Sequence, residues 1–127
     1  MDLKRRKPSI LVVAVEPDES PVLSGGTPGL HRIQGIGPGF VPAILDPAAY
    51  DEVMRITGTE AAETARRLAK TEGILAGTSS GAALCAASRI AEREEMADKT
   101  IVVLLPDTGE RYLSTGLFDD LFGASSA

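Results

Sequence analysis

The sequence predicts an α/β fold, a partial open parallel sheet flanked by helices. Three observations lead there. Ile10 to Val15 and Thr100 to Leu105 are short apolar runs of the kind buried on both faces in parallel sheets. Such runs alternate with helical patterns, in the order β, long loop, β, α, β, α, β, short helix. The stretch Gly73-Ile74-Leu75-Ala76-Gly77-Thr78-Ser79-Ser80-Gly81-Ala82-Ala83 then joins a strand to an alanine-rich helix through glycine and hydroxyl residues. At 127 residues the chain is one domain's worth, or part of a larger one.

Taken in order, Lys4-Arg5-Arg6-Lys7-Pro8 is a solvated basic segment or the fraying end of a helix. The apolar run after it closes at Glu16-Pro17. Residues 18–47 lose periodicity and are punctuated by Pro and Gly, but Val22, Leu23, Leu30, Ile33, Ile36, Phe40 and Val41 are spread among them. That mixture argues for a packed loop rather than disorder. Its Gln34-Gly35-Ile36-Gly37-Pro38-Gly39-Phe40 segment superficially resembles a phosphate-binding glycine loop, without the flanking strand and helix a dinucleotide fingerprint needs.

Asp51 to Thr57 alternates polar and apolar residues and reads as a half-buried or edge strand. Thr57-Gly58-Thr59-Glu60 fits a capping box opening a helix that runs to about Glu72. Ala61, Ala65 and Leu68 share one face, Glu63 and Arg67 form an i,i+4 pair, and Gly73 is the expected residue after the last turn. Ile74 to Ala76 reads as a short strand. The next helix carries Ala82, Ala83, Ala86, Ala87, Ile90 and Ala91, small enough to lie close to a sheet. After the strand at residues 100–105, Pro106 to Tyr112 turns away. Leu113 to Phe122 supplies a last helical piece, and residues 123–127 read as a frayed tail.

Composition excludes several classes. A net charge of −5, with no basic stripe interleaved with aromatics, argues against nucleic-acid binding. One cysteine, Cys85, and one histidine, His31, argue against a disulfide framework and against a metal site. No membrane-length apolar run or signal peptide is read, so cytoplasm is the expected location.

In a parallel sheet, ligands bind beyond the carboxyl ends of the strands. Two loops leave strands at that edge, Gly77 to Gly81 and Pro106 to Tyr112. A helix beginning at such a turn offers free backbone N–H groups and a positive dipole end, suited to an anionic or hydrogen-bond-accepting ligand. Taken alone, Ser79 reads as a helix cap; the convergence of the two loops favours a site. Ser80 reads as a cap or helix-start donor, His31 as loop packing, Glu110 and Arg111 as a local ion pair, and Tyr112 as packing.

Five blocks then resemble one family. They are Val13-Ala14-Val15-Glu16-Pro17, Ser20 to Gly26, His31 to Pro42, Gly77-Thr78-Ser79-Ser80-Gly81-Ala82-Ala83, and Leu105-Pro106-Asp107-Thr108-Gly109-Glu110-Arg111-Tyr112-Leu113-Ser114-Thr115. In order and spacing they are similar to cysteine synthase (O-acetylserine sulfhydrylase), a transferase of the tryptophan synthase β-like, fold-type-II pyridoxal phosphate enzymes. The closing block is more like cysteine synthase than cystathionine β-synthase.

The resemblance implies pyridoxal 5′-phosphate as cofactor and O-acetylserine and sulfide as substrates, giving cysteine and acetate by β-elimination and β-replacement. It implies a homodimer, with serine acetyltransferase as a further partner. Ser79 would meet the pyridine nitrogen. A neutral hydroxyl there does not hold the ring nitrogen protonated as a carboxylate would. Pro106 and Asp107 would close the pocket on the pyridine side, and Gln34, Gly35, Ile36 and Gly37 would form the substrate loop.

The family's Schiff-base lysine motif and its glycine-threonine phosphate loop are not in this sequence. Lys4, Lys7, Lys70 and Lys99 lack the context. Residues 1–127 therefore read as an incomplete cofactor-binding domain, the C-terminal portion of such an enzyme. It holds no catalytic lysine and is expected to be inactive alone, to bind the cofactor weakly or not at all, and to associate or aggregate. Two alternatives stand beside this: a non-catalytic module that pairs with a complementary piece or an intact subunit, and a related lyase such as cystathionine β-synthase or a serine/threonine deaminase.

Overall fold

The computed structural model describes residues 2–119. The basic segment is a short helix, α1 (Asp2–Arg6), tied to the body where Lys4 pairs with Asp51 and donates to the Ile10 carbonyl at 2.7 Å. Strands β1 (Val13–Pro17) and β2 (Glu52–Ile56) pair in parallel, with Val13 opposite Glu52 and Pro17 opposite Ile56. The first strand thus sits later than the apolar run from Ile10. Pro17 has no N–H, but Asp18 donates to the Ile56 carbonyl at 2.9 Å, so the ladder runs through it.

Between the strands, the long loop is held from inside by Glu16. Its carboxylate is 2% exposed and accepts from the Leu23 and Ser24 backbone N–H groups at 2.7 and 3.0 Å, and from the Ser24 hydroxyl. Leu23 and Ser24 belong to a 3₁₀ turn (Val22–Ser24). Ile33, fully buried, joins Ile56, Ala61, Ala82 and Ala86 in the main core, with Ile36 packed against them. The loop is thus packed at Ile33 and Ile36, whereas Leu30, Phe40 and Val41, expected to pack with them, are exposed.

Helix α2 (Gly58–Glu72) opens with the reciprocal capping box: the Glu60 N–H donates to Thr57 Oγ1 at 3.1 Å and the Thr57 N–H to Glu60 Oε2 at 2.9 Å. It ends at Gly73, whose φ of +70° is the left-handed conformation expected there. Glu63 and Arg67 do not close an ion pair among the described residues; Glu60 pairs with Arg89 instead, and Glu52 with Arg93.

Helix α3 (Thr78–Ala91) uses its small face chiefly against α2. A Cβ at Gly81 would stand 2.0 Å from the Ala61 carbonyl oxygen, so the two helices meet backbone to backbone there. Ala82 and Ala86 pack on the sheet side with Ile56.

Two expected strands are not formed as ladders among the described residues. Ile74 to Ala76 makes one antiparallel bridge, Ala76 to Thr108. Residues 100–105 run without a strand partner, leaving Val102 90% and Leu104 79% exposed. Apolar composition marks a segment fit for a sheet, but a strand forms only where another strand supplies hydrogen bonds.

The last described segment is a 3₁₀ turn (Glu110–Tyr112) followed by turns rather than a helix, with Tyr112, Leu117 and Phe118 packed on Ala62, Ala69 and Leu75. The remainder of the expected final helix and the tail at residues 123–127 lie outside the described residues.

Candidate active site

The N-terminus of α3 is where the sequence places a ligand, and the first group found there is the chain's own. Gly77, not Ser79, takes the capping position, and no side chain caps it. Ser79 and Ser80 instead turn their hydroxyls to Asp107, donating to Oδ1 at 3.0 and 2.7 Å. Tyr112 donates to Asp107 Oδ2 at 2.7 Å. Gly77 makes this possible, since a Cβ there would stand 1.9 Å from Asp107 Oδ2.

The electrostatics follow. Burial pushes the Asp107 carboxyl up, but hydrogen bonds from Tyr112, Ser80 and Ser79 outweigh it and hold the group below the usual carboxylate range. Burial also pushes the Tyr112 hydroxyl up, and the Asp107 carboxylate adds to that shift, with the Thr78 hydroxyl opposing. An ionised carboxylate at the positive end of α3 satisfies the helix dipole. A second anion such as a phosphate would meet repulsion there. The terminus therefore suits a neutral or cationic nitrogen group.

Beside this cluster lies a cleft of about 840 Å³, lined among others by Gly58, Arg66, His31, Gln34, Thr78 and Tyr112. Thr78 Oγ1 is buried beside the Tyr112 hydroxyl and makes no hydrogen bond of good geometry. His31 holds the loop: Nε2–H donates to the Gly37 carbonyl at 2.8 Å and Nδ1 accepts from the Ile33 N–H at 3.2 Å. Gly37 adopts a φ of +61°, and a Cβ there would collide with Pro17 and His31.

Of the residues singled out in sequence, Ser79 and Asp107 are in contact, and Gln34 lines the same cleft as Thr78 and Tyr112. Ile36 packs against the core. Gly35, at a φ of +91°, and Pro106 are exposed and line no part of the cleft. Ser80, read in sequence as a cap or helix-start donor, and Tyr112, read as packing, share the Asp107 carboxylate, and Thr78 was given no role. Glu110 and Arg111 form no ion pair among the described residues; Thr108 and the backbone at Glu110 hold the Glu110 carboxyl below its usual value. None of the four lysines lines the cleft among the described residues.

The turn from the Ala76 bridge into α3 thus brings one hydroxyl, that of Thr78, to the cleft, and turns the next two to Asp107. The family model for pyridoxal-phosphate dependent enzymes matches residues 1–107, and the chain belongs to that family. Within it, the chain is 55% identical over 122 residues to cysteine synthase A of Escherichia coli (strain K12), covering 91% of this chain and 38% of that protein. It is 53% identical over 120 residues to the cysteine synthase of Staphylococcus aureus (strain N315), again covering 38% of it.

Among solved structures, the cysteine synthase of Entamoeba histolytica superposes with a TM-score of 0.90 at 48% identity, over 92% of this chain and 35% of that one. The O-acetylserine dependent cystathionine β-synthase of Helicobacter pylori superposes with a TM-score of 0.81 at 41% identity, over 91% and 37%. The chain thus spans under two fifths of the length of these relatives.

Proposed function

We propose that this chain forms the pyridine side of a pyridoxal phosphate site in a cysteine synthase, the reaction being cysteine formation from O-acetylserine and sulfide with release of acetate. The observation that carries the reading is the hydroxyl cluster at the start of α3, beside the cleft, in a chain 55% identical to a cysteine synthase. The residues present fit the cofactor's ring end. Ser79 would meet the ring nitrogen, and the buried Thr78 hydroxyl at the cleft, without a hydrogen-bond partner of good geometry, supports a polar ligand beside it. The Asp107 carboxylate disfavours the phosphate end at this terminus. When bound, pyridoxal phosphate supplies the electron sink for β-elimination.

The chain's own contribution is binding and orientation. Gln34, in the loop that His31 stiffens, lines the cleft and would meet the substrate there. Lys4 is engaged with Asp51, and Lys7, Lys70 and Lys99 are exposed, so none is offered as the Schiff-base group. The family likeness also supports a homodimer, a serine acetyltransferase partner and a cytoplasmic location. Among the described residues no helix is long and apolar enough to cross a membrane.

The test mixes the purified chain with a cysteine synthase segment bearing the lysine motif and the phosphate loop. Co-purification, restored pyridoxal phosphate absorbance and cysteine formation are expected, with none from this chain alone. Co-purification without activity overturns the enzymatic reading in favour of a non-catalytic module. Preferential turnover of serine plus homocysteine overturns the substrate assignment.

A further inference from the structure

The turn that carries Gln34 is pinned through one ring. From residue 27 to residue 41 the chain makes no backbone-to-backbone hydrogen bond of good geometry among the described residues. His31 supplies the polar ties around Gln34. Its Nδ1 lies 3.2 Å from the Ile33 backbone nitrogen, whose N–H can only donate, so Nδ1 carries no proton. Its Nε2 lies 2.8 Å from the Gly37 carbonyl oxygen, which can only accept, so Nε2 carries the ring's one proton. The neutral ring thus bridges the two ends of Gln34-Gly35-Ile36. Gly37 seats the bridge: a Cβ there would stand 2.9 Å from Nε2 and 2.5 Å from Pro17, at the end of β1.

We infer that His31 is a proton-operated latch on this loop and a positioning residue for Gln34: the neutral ring holds the turn closed at the cleft, and a proton on Nδ1 releases it. Protonation converts the acceptor of the Ile33 N–H into a second donor, so two N–H groups face each other. Ile33 is fully buried and its N–H has no other partner among the described residues, so the turn must open to satisfy it. Imidazole is the side chain that gains its proton between about pH 8 and pH 5. The charged and titratable groups around the ring are engaged elsewhere or make no bond to it. Along the cleft, Glu19 accepts from the Gly58 N–H, Arg66 donates to the Leu117 carbonyl and Tyr112 to Asp107, while Arg32 makes no bond to the ring among the described residues. At the end of β1, Glu16 is turned to Leu23 and Ser24, and Asp18 to Arg55. The positioning role rests on the assignment of Gln34 to the substrate given above; the latch itself does not.

The experiment labels this chain with ¹⁵N-histidine, His31 being its one histidine, and reads the ring nitrogens by NMR. The chain is measured paired with the unlabelled cysteine synthase segment and alone, and the reading needs no cofactor. At about pH 8 a bare Nδ1 and a protonated Nε2 are expected, and at about pH 5 both nitrogens protonated. Over the same step, amide exchange at residues 33–37, corrected for its intrinsic pH dependence, is expected to quicken about fivefold. His31→Asn keeps an acceptor for Ile33 but takes no proton, so its corrected exchange should stay level. In the assembled enzyme, KM for O-acetylserine should rise with acid more than kcat falls, and His31→Asn should lack that rise. A ring protonated on Nδ1 or in mixed tautomers at pH 8 overturns the latch, as does an acid step that persists in His31→Asn. The wild-type spectrum decides even where the variant fails to fold. Failure of the two pieces to pair overturns the proposed function, while the labelled chain alone still reads the tautomer. A latch in the spectrum without the rise in KM overturns the positioning role of His31 toward Gln34.

Discussion

Tyr112 and Asp107 are joined by a 2.7 Å hydrogen bond from the phenol to Oδ2, and Tyr112 is only 4% exposed. One aromatic residue therefore closes the second hydrophobic cluster with its ring and one end of the site with its hydroxyl. Tyr112→Phe keeps the ring and removes the donor. Because the acceptor is ionised, a loss of about 1.5 kcal/mol is expected, read by urea unfolding. The Asp107 carboxyl should titrate at higher pH in the variant, followed by ¹³C NMR of its side chain. An unchanged titration would show that the phenol does not hold the carboxylate.

The pH dependence of stability has a definite sign. Asp107 has a depressed pKa in the fold, so its contribution is complete above the unfolded value of 3.8 and fades as pH falls through the folded one. Asp51, Glu52 and Glu60, held low by Lys4, Arg93 and the Thr57 cap, act in the same direction at more exposed positions. The unfolding midpoint should therefore drop below about pH 4. Asp107→Asn should flatten that drop, and a profile as steep as wild type would remove Asp107 from the account.

Gly81→Ala tests the approach of α2 and α3. The added methyl would stand 2.0 Å from the Ala61 carbonyl oxygen, so the helices must part. A loss of about 3 kcal/mol is expected, the upper range for overpacking. Gly77→Ala should be similarly costly, because its methyl would strike Asp107. Thermal unfolding reads both.

Glu16→Ala would remove the buried carboxylate that accepts from the Leu23 and Ser24 N–H groups. Losing these bonds to a charged acceptor costs about 1.5–3 kcal/mol in all, and the 3₁₀ turn at Val22–Ser24 should loosen. Faster limited proteolysis within residues 18–47 is the expected result. A cleavage rate equal to wild type would mean that the loop is held by its apolar residues alone.

Local signals were legible in the sequence, and long-range polar pairings were not. The Thr57–Glu60 box and Gly73 each announce a helix end by their own chemistry, and α2 begins and ends there. Strand position was less sharp, because the ladder of β1 is set by its register with β2 rather than by where the apolar run begins. At residues 100–105 apolarity was a sound guide to propensity and a poor one to pairing. In the site, Ser79 reads from sequence as a cap since serine commonly caps helices. The structure gives the capping position to Gly77 and the serine to a carboxylate 28 residues away. No periodicity encodes that contact.

The parallel pair β1 and β2 is separated in sequence by residues 18–51, which contain no α-helix among the described elements. Joining the two strands means closing that whole loop, whereas α2 and α3 are linked by a short turn and lie against each other at Gly81 and Ala61. Closure entropy makes the first event slow and leaves the second local and fast. The α2–α3 hairpin is thus the natural folding nucleus, with the sheet and the His31 to Gly37 loop assembling on it afterwards. Changes at Gly81 should slow refolding, while changes at Glu16 should chiefly hasten unfolding. The part of the molecule proposed to meet substrate is then the last to form and the first to let go.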